Sequence, residues 1–219
     1  MPLLEARSLC KVYGGSPPVR AVNDVSLAMD RGSVVAITGP SGSGKSTLLA
    51  MLGALERPTS GSVFFAGIDL TTCSSAELAR VRRRLGFVFQ DFALIPGLAA
   101  WENVAYPLIP RGIARRDRYR ISAEWLGRFG LESKTATRVK RLSGGEQQRV
   151  AIARAFAGNP EAILADEPTS NLDADTADSF LAALAQFRAA GGAAAIASHD
   201  PRLVEAASER LEMKAGNLV

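Results

Sequence analysis

The first third of the chain alternates short apolar runs with turn residues. Mixed apolar segments cover residues 3–9 and 21–27, and the sequence Asp30-Arg31-Gly32 after the second segment is a turn signal. This pattern predicts two strands and a β-rich start to the fold.

A strand, a glycine-rich loop and a helix are predicted next. The run from Ser33 to Thr38 is apolar and β-branched, as is typical of a strand buried in a parallel sheet, and it leads directly into glycines. Beyond the glycines, four leucines recur at helical spacing, namely Leu48, Leu49, Leu52 and Leu55. Pro58 and Gly61 close the segment, so the helix is predicted to end before them.

The second half of the chain predicts an inserted helical lobe and then a return to the sheet. Residues 92–157 show a helical pattern with scattered arginines. Ala162–Ala165 and Ala193–Ala197 have the composition of buried strands, and a helix is predicted between them over about residues 174–190. Strands that alternate with helices predict an α/β fold with a mostly parallel, covered sheet.

The composition fits one globular domain. Of the 219 residues, 47% are hydrophobic and 22% are charged, which excludes a disordered, collagen-like or coiled-coil chain. No segment approaches the roughly 18–20 apolar residues that a membrane span requires, so we expect a soluble, cytoplasmic chain. Cys10 and Cys73 are too few for a disulfide framework or a zinc site. The net charge of +4 favours anionic ligands without choosing among nucleic acids, membrane surfaces and phosphates.

A phosphate-binding loop pattern lies where the predicted strand turns into the helix. Its residues are Gly39-Pro40-Ser41-Gly42-Ser43-Gly44-Lys45-Ser46-Thr47. Glycines allow successive backbone N–H groups to curl around phosphate oxygens, and the helix N-terminus adds a partial positive charge. Lys45 is expected to reach the terminal phosphates, and the Ser46 hydroxyl can ligate Mg²⁺. The loop therefore predicts a nucleoside triphosphate site.

Two carboxylates follow the predicted strand at Ala162–Ala165. Asp166 and Glu167 would emerge at the carboxyl end of that strand, where open parallel sheets carry their ligand sites. We expect Asp166 to hold the metal through water and Glu167 to polarise the water that attacks the γ-phosphate. Alone, this sequence is typical of an ordinary loop start, and the phosphate-binding loop gives it a catalytic interpretation.

A second predicted anion site begins with the octapeptide Leu142-Ser143-Gly144-Gly145-Glu146-Gln147-Gln148-Arg149. Ser143 can cap the helix that follows, and the two glycines would expose backbone N–H groups at its positive end. The buried face of that helix is predicted to contain Val150, Ile152, Ala153 and Phe156.

With these motifs in this order, the chain resembles the nucleotide-binding subunits of ATP-binding-cassette (ABC) systems over essentially its whole length. The matching segments are residues 39–47 (Walker A), Gln90 (Q-loop), residues 142–148 (signature), residues 163–167 (Walker B), residues 170–173 (D-loop) and residues 198–200 (switch histidine). The resemblance implies a P-loop NTPase core with a mostly parallel sheet, an antiparallel β subdomain and an inserted α-helical subdomain. Residues 1–91 and 158–219 would form the core and the β subdomain, and residues 92–157 the helical subdomain.

The resemblance also implies roles for single residues. Gln90 would contact Mg²⁺ and water and sense the helical lobe, and His199 would contact the γ-phosphate. Tyr13 matches the aromatic position that stacks on adenine, although an aromatic residue packed against the sheet is the alternative. The further nucleotide-binding residues implied are Ser143, Gly144, Gly145, Glu146 and Asp173.

By the same resemblance, two chains would pair head to tail. Each ATP would lie between Lys45 of one subunit and Ser143 to Gly145 of the other, and Ser46, Gln90 and Asp166 would hold Mg²⁺. The implied working partner is an integral membrane permease on a separate chain, which places this subunit on the inner face of the cell membrane. Closure and release of the dimer would then drive the permease.

The sequence is most similar to the group that serves lipoprotein release, macrolide or peptide efflux, and cell division. That similarity is carried by residues 39–47, by Ala165-Asp166-Glu167-Pro168-Thr169 and by Asn171-Leu172-Asp173. Export or extrusion of a lipoprotein, peptide or drug is therefore the expected activity.

Apolar residues after Gln90 offer more surface than a solvated loop needs, which suits a groove for a permease helix. They are Phe92, Leu94, Ile95, Pro96, Leu98 and Trp101. The alternative is that they pack the core of the helical lobe itself.

Two functions from other classes stay open at the level of sequence. A soluble ABC ATPase acting on ribosomes or DNA would share these motifs, and the arginines between residues 111 and 120 keep nucleic acid in view. Such proteins usually carry two cassettes or a long coiled coil, so nucleic acid is not the expected partner. A phosphotransferase would share the phosphate-binding loop, but it has no use for the signature octapeptide.

Overall fold

Ten strands and seven α-helices make up the fold, which a computed structural model describes for residues 1–219. The strands are β1 (Leu4–Tyr13), β2 (Val19–Met29), β3 (Val34–Thr38), β4 (Ser60–Phe65), β5 (Ile68–Asp69), β6 (Leu85–Val88), β7 (Ala162–Asp166), β8 (Ala193–Ala197), β9 (Glu209–Lys214) and β10 (Asn217–Leu218). The helices are α1 (Lys45–Leu52), α2 (Ser75–Arg82), α3 (Ala100–Ala105), α4 (Arg115–Arg128), α5 (Gly144–Ala157), α6 (Ala174–Ala189) and α7 (Pro201–Ala206).

The strands form two sheets. An antiparallel sheet has the order β2-β1-β4-β5, and a six-stranded sheet has the order β10-β9-β3-β8-β7-β6. The pairings of β3 with β8 and β9, of β7 with β8, and of β6 with β7 are all parallel. The predicted α/β class, with a mostly parallel sheet, an antiparallel β unit and inserted helices, is confirmed.

Alternation along the central strands divides the apolar side chains between two cores. In β3, Val35 and Ile37 face the core shared with α1 and the antiparallel sheet, whereas Val34 faces the core shared with α5 and α6. The five alanine and isoleucine residues of β8 divide in the same way and are all buried. Both faces of the sheet are thus covered, which explains why these strands are almost purely apolar.

Three helices, α3, α4 and α5, lie between β6 and β7 in the chain and are called the helical unit below. All three fall within the predicted lobe of residues 92–157. The unit is joined to the sheet by close packing, because a Cβ placed on Gly86 of β6 would lie 2.5 Å from the Ala155 carbonyl oxygen of α5. Gly86 therefore allows α5 to sit directly on β6.

The first helix ends earlier than the leucine spacing predicted. It stops at Leu52, and Leu55 lies outside it with 43% of its surface exposed. Gly53 ends the helix, and Ala54 turns the chain away with a positive φ of 57°. Cys10 is partly buried and Cys73 is buried, and both are free cysteines. None of the helices combines the length and the apolar character needed to cross a bilayer.

Candidate active site

The phosphate-binding loop connects β3 to α1 and is shaped by glycines with positive φ. These φ angles are 134° at Gly39, 76° at Gly42 and 105° at Gly44, in a region that side chains other than hydrogen strongly disfavour. Lys45 begins α1 directly after the loop, so the loop N–H groups and the positive end of the helix share one side of the molecule. The local sequence thus builds an anion-binding concavity.

The side chain of Lys45 is held against this loop. Only 7% of the residue is exposed, and its Nζ donates to the carbonyl oxygens of Gly39, at 2.5 Å, and Pro40, at 3.0 Å. Carbonyls are neutral acceptors, so an anion in the loop would compete for the ammonium group on favourable terms. Lys45 is therefore positioned to exchange loop carbonyls for phosphate oxygens.

A cavity of about 510 Å³ brings most of the predicted site residues together. Its lining comprises Val19, Arg20, Ala21, Ser41, Gly42, Ser43, Gly44, Lys45, Ser46, Thr47, Gln90, Asp166, Glu167, His199 and Ala215. Gln90 follows β6, Asp166 ends β7 and His199 follows β8, so three neighbouring parallel strands deliver their carboxyl ends to this cavity. Their convergence is the arrangement expected at the ligand edge of such a sheet.

The catalytic candidates Glu167 and His199 are adjacent. The His199 Nε2 atom lies 3.6 Å from Glu167 Oε1. Glu167 adopts a left-handed backbone conformation, with φ 47°, and its N–H donates to the Ala197 carbonyl oxygen at 2.8 Å. The hydrogen bond continues the parallel ladder of β7 and β8, and the left-handed conformation then turns the chain away from the strand path at Glu167, which lines the cavity.

Oxygen ligands suited to Mg²⁺ are present in the same cavity. Ser46 offers a hydroxyl, Gln90 an amide oxygen and Asp166 a carboxylate, and all three line it. No group of three or more His, Cys, Asp or Glu side chains could hold a metal ion. One carboxylate with neutral oxygens is the donor set by which proteins bind Mg²⁺ together with phosphates and water, so these residues fit the ion.

Several lining residues carry no sequence signal. Val19, Arg20 and Ala21 begin β2, and Ala215 lies in the β9–β10 turn. The three β2 residues reach the cavity because Gly44 leaves room for the β2 backbone: a Cβ on Gly44 would lie 2.1 Å from the Ala21 carbonyl oxygen. Only the tertiary structure reveals this approach of the antiparallel sheet to the loop.

Tyr13 does not line the cavity. It pairs with Val19 across the β1–β2 ladder, so it lies beside the rim that Val19 forms. The residue is 39% exposed, and the Lys11 ammonium lies 5.0 Å from its ring centroid. The predicted stacking of Tyr13 on adenine stays a prediction.

The signature residues lie outside the cavity, at the N-terminus of α5. Ser143 Oγ accepts from the Glu146 N–H at 3.3 Å, and Glu146 Oε2 accepts from the Ser143 N–H at 2.8 Å, which makes a reciprocal cap. The bond from the Ser143 N–H lowers the pKa of Glu146. Gly144 and Gly145 follow the cap, and a Cβ on Gly145 would lie 2.8 Å from the carbonyl oxygen of Asn171.

Asp173, in the predicted D-loop, is also absent from the cavity lining and caps α6. Its Oδ1 accepts from the Thr176 N–H at 2.8 Å, and this bond lowers the pKa of Asp173. The D-loop and the signature of one chain are thus neighbours, with Asn171 packed against Gly145, and neither lines the cavity that the phosphate-binding loop forms.

Comparison with known proteins agrees with this geometry. The sequence model of the ABC transporter family matches residues 22–170. The chain is 44% identical over 222 residues to the pyoverdine export ATP-binding/permease protein PvdT of Pseudomonas aeruginosa. It is 43% identical over 221 residues to the macrolide export ATP-binding/permease protein MacB of Nitrosomonas europaea. Both alignments cover 100% of this chain but 34% of the relative, so the chain spans about a third of the length of these curated relatives.

Among solved structures, the chain is similar to the dimeric ATP-binding cassette MJ0796 in a post-hydrolysis state bound to ADP and Pi. The TM-score is 0.95 at 37% sequence identity, and the superposition covers 98% of this chain and 96% of the other. A second dimeric structure of MJ0796, described as a bacterial ABC transporter cassette, matches with the same values.

Proposed function

Because the chain belongs to the ABC transporter family, we propose that it binds and hydrolyses ATP to ADP and phosphate and thereby powers export through a membrane permease. The observation that carries this proposal is the cavity in which the phosphate-binding loop faces Gln90, Asp166, Glu167 and His199. The similarity to a cassette that holds ADP and Pi supports the same reaction.

In the proposed mechanism, the loop amides and Lys45 bind the phosphates and hold the γ-phosphate in one orientation. Glu167 accepts a proton from the attacking water as its oxygen forms the new bond to γ-phosphorus. The bond from γ-phosphorus to the bridging oxygen breaks, and ADP leaves with that oxygen. His199, whose Nε2 atom lies 3.6 Å from Glu167 Oε1, donates to a γ-phosphate oxygen. Ser46, Gln90 and Asp166 would hold Mg²⁺, which supplies charge neutralisation of the phosphates when bound.

We further infer that two chains complete each site. The signature lies at the N-terminus of α5 and does not line the cavity of its own chain, so its exposed Ser143 and Gly144 are free to meet a nucleotide held by another copy. The dimeric state of MJ0796 supports this arrangement.

The first test is Glu167→Gln. The substitution removes the proton acceptor and leaves the loop amides, Lys45 and Ser46 in place, so hydrolysis should fall by about 10²-fold or more while ATP binding is retained. Size-exclusion chromatography with Mg-ATP should then show a dimer that the wild type forms only transiently. A variant that hydrolyses at the wild-type rate would contradict the role of Glu167, and one that stays monomeric at every concentration would contradict the shared site.

The export function rests on the relatives, which are named as ATP-binding/permease proteins for pyoverdine and macrolides. We propose that this chain is a peripheral subunit on the inner face of the membrane, partnered by a permease. The alternative soluble ATPase acting on ribosomes or nucleic acid is not favoured, because these relatives are export proteins.

The proposed permease contact lies on the segment that follows Gln90. Ile95 is 38% exposed there, and Leu94, Leu98 and Trp101 are half-buried, so the segment both packs the helical unit and presents apolar surface. Trp101 also borders a cleft of about 470 Å³ with Arg115, Arg116 and Tyr119. A helix of the permease could use both features.

Ile95→Glu tests this contact, with Ile68→Glu as the matched control. Ile68 is 42% exposed on the antiparallel sheet, so both variants place a charge at a comparably exposed isoleucine. Ile95→Glu should lose at least about tenfold in co-purification with native membranes, because a carboxylate in an apolar contact is costly to desolvate, while its basal ATPase stays near the wild-type value. Equal membrane association of both variants, or recovery of the wild type with ribosomes or DNA alone, would contradict the proposal.

A further inference from the structure

Gln90 lies on a short connection between the sheet and the helical unit. β6 ends at Val88 and α3 begins at Ala100, so residues 89–99 form this connecting segment. Phe89, at its start, stacks on Phe87 of β6 with ring centroids 5.7 Å apart. The residue before Gln90 is therefore fixed to the sheet.

The chain takes a left-handed path just after Gln90. Phe92 and Ala93 have φ angles of 64° and 43°, and neither is glycine, so their conformation must be held by surrounding contacts. The guanidinium of Arg154 supplies two of them. Its Nη2 donates to the Phe92 carbonyl oxygen at 2.7 Å and its Nη1 to the Ala93 carbonyl oxygen at 2.5 Å.

The guanidinium of Arg154 is used for these two carbonyl contacts. Burial lowers its pKa to about 10, with Asp91 nearby as the opposing charge, and no ion pair forms with any carboxylate. The guanidinium stays charged at neutral pH, and two of its nitrogens donate hydrogen bonds to backbone carbonyls. Burying this charge costs free energy, and the buried charge bonds only to the strained loop. Such a cost is not expected for an arginine that serves only solubility.

The far end of the connecting segment is held by the helical unit as well. Asn103 of α3 is fully buried, accepts from the Ile95 N–H at 2.7 Å and donates to the Ile95 carbonyl oxygen at 3.2 Å. Phe89 thus packs on the sheet, and the carbonyls of Phe92, Ala93 and Ile95 are held by the helical unit. Gln90 and Asp91 lie in the turn between them, which the hydrogen bond from the Phe92 N–H to the Phe89 carbonyl oxygen closes at 3.0 Å.

Arg154 also lies on the same helix as the signature. α5 runs from Gly144 to Ala157, about 21 Å at 1.5 Å per residue, with its cap at Ser143 and Arg154 in its last turn. A displacement of the signature end of α5 is therefore carried by a continuous helix to the carbonyls that Arg154 holds.

We propose that Arg154 is a positioning residue that ties Gln90 to α5, so that movement of the signature helix moves Gln90 relative to the cavity. This inference rests on the proposed ATPase function and adds the residue through which the helical unit acts on the site. Arg154 does not line the cavity, so it acts through Gln90 rather than on the nucleotide.

The experiment combines Arg154→Met, Arg154→Lys, Gln90→Ala and the double variant of Arg154→Met with Gln90→Ala. Arg154→Met should lower kcat about tenfold with KM for ATP changed less than about threefold, because nucleotide binding does not use Arg154. Arg154→Lys keeps the charge but cannot serve two carbonyls as a fork, so its kcat should lie in between. The double variant should be no slower than Gln90→Ala alone, within about twofold, since both changes act through one residue. Arg120→Met, an exposed arginine of the same unit, is the control.

A second readout does not depend on turnover. Amide hydrogen exchange over residues 91–95 should rise several-fold in Arg154→Met and stay unchanged in Arg120→Met. If the wild type does not hydrolyse ATP, the proposed function fails while this exchange result still decides whether Arg154 holds the segment. Unchanged exchange there, or a double variant slower than Gln90→Ala by the full factor of Arg154→Met, would overturn the proposal. If Arg154→Met does not fold, Arg154→Lys carries the same comparison.

Discussion

At the residue scale, the phosphate-binding loop needs glycine for two separable reasons. Gly42 and Gly44 both have positive φ, so a side chain at either position strains the backbone. Only Gly44 is also crowded, since a Cβ there would lie 2.1 Å from the Ala21 carbonyl oxygen, whereas a Cβ on Gly42 would meet open space. Substitutions at the two glycines therefore distinguish the effect of conformational strain from the effect of packing β2 against the loop.

Gly44→Ala should be far more damaging than Gly42→Ala. Strain alone should lower the free energy of unfolding by about 1–2 kcal/mol at Gly42, and the displaced β2 backbone should bring the loss at Gly44 to about 2–4 kcal/mol. Gly44→Ala should also weaken Mg-ADP binding, because the loop amides shift. Urea unfolding and nucleotide titration measure both effects, and equal losses for the two variants would show that contact with Ala21 is unimportant.

At the scale of elements, one carboxylate joins three segments at the edge of the parallel sheet opposite the cavity. Glu161 precedes β7 and accepts from Arg84, just before β6, at 2.5 Å and from Arg31, in the turn after β2, at 2.6 Å. The hydrogen bond from Arg84, together with the smaller effect of the one from Arg31, lowers the pKa of Glu161 from 4.5 to about 2. Arg84, the last residue of the arginine-rich segment 80–84, thus takes part in this junction.

Glu161→Gln should lower the free energy of unfolding by roughly 1–2 kcal/mol at pH 7, a figure reduced for the solvent exposure of Arg31. Because the folded pKa lies below the unfolded value, the stabilisation is complete above about pH 4.5 and is lost as the pH falls toward 2. Urea unfolding of both proteins from pH 7 to pH 3.5 should show the difference shrinking only below about 4.5. Glu124→Gln, in an exposed pair with Arg128, is the control and should stay within about 0.5 kcal/mol. A difference independent of pH would refute the ionic explanation.

At the scale of the whole molecule, the signature lies outside the cavity of its own chain. The helical unit packs on the sheet through α5 and β6, which leaves Ser143 at the exposed start of α5 and outside the cavity. Under the proposed arrangement, a single chain would contribute its phosphate-binding loop to one composite site and its signature to another, and association of two copies would complete both.

Mixing Lys45→Ala with Ser143→Arg tests this division. Lys45→Ala should lose nucleotide binding, and Ser143→Arg should keep binding but block the space next to the partner nucleotide. Each variant alone should be inactive, whereas random pairing makes about half of the dimers mixed, each with one intact site, so the mixture should regain about a quarter of wild-type turnover at most. Wild-type ATPase activity of the mixture, or of the Ser143→Arg variant alone, would contradict a site shared between chains.

The sequence by itself determined the local features. The strand from Val34 to Thr38, its glycine loop and the helix at Lys45 are specified by residues adjacent in the chain, and so are the cap at Ser143 and the strand before Asp166. Hydrophobic periodicity, glycine conformations and capping act over a few residues, so they can be recognised without knowing the fold.

Only the tertiary structure decided which of these features meet. That β2 and Ala215 line the cavity, that Tyr13 stays beside its rim, and that Arg154 holds the carbonyls of Phe92 and Ala93 all depend on contacts between residues far apart in sequence. No local pattern encodes them, because they arise from the packing of a sheet edge against a loop and of a helix against a strand. The physical reason is that these contacts form when the two cores are buried. Close packing of each core fixes the positions of residues from many parts of the chain at once.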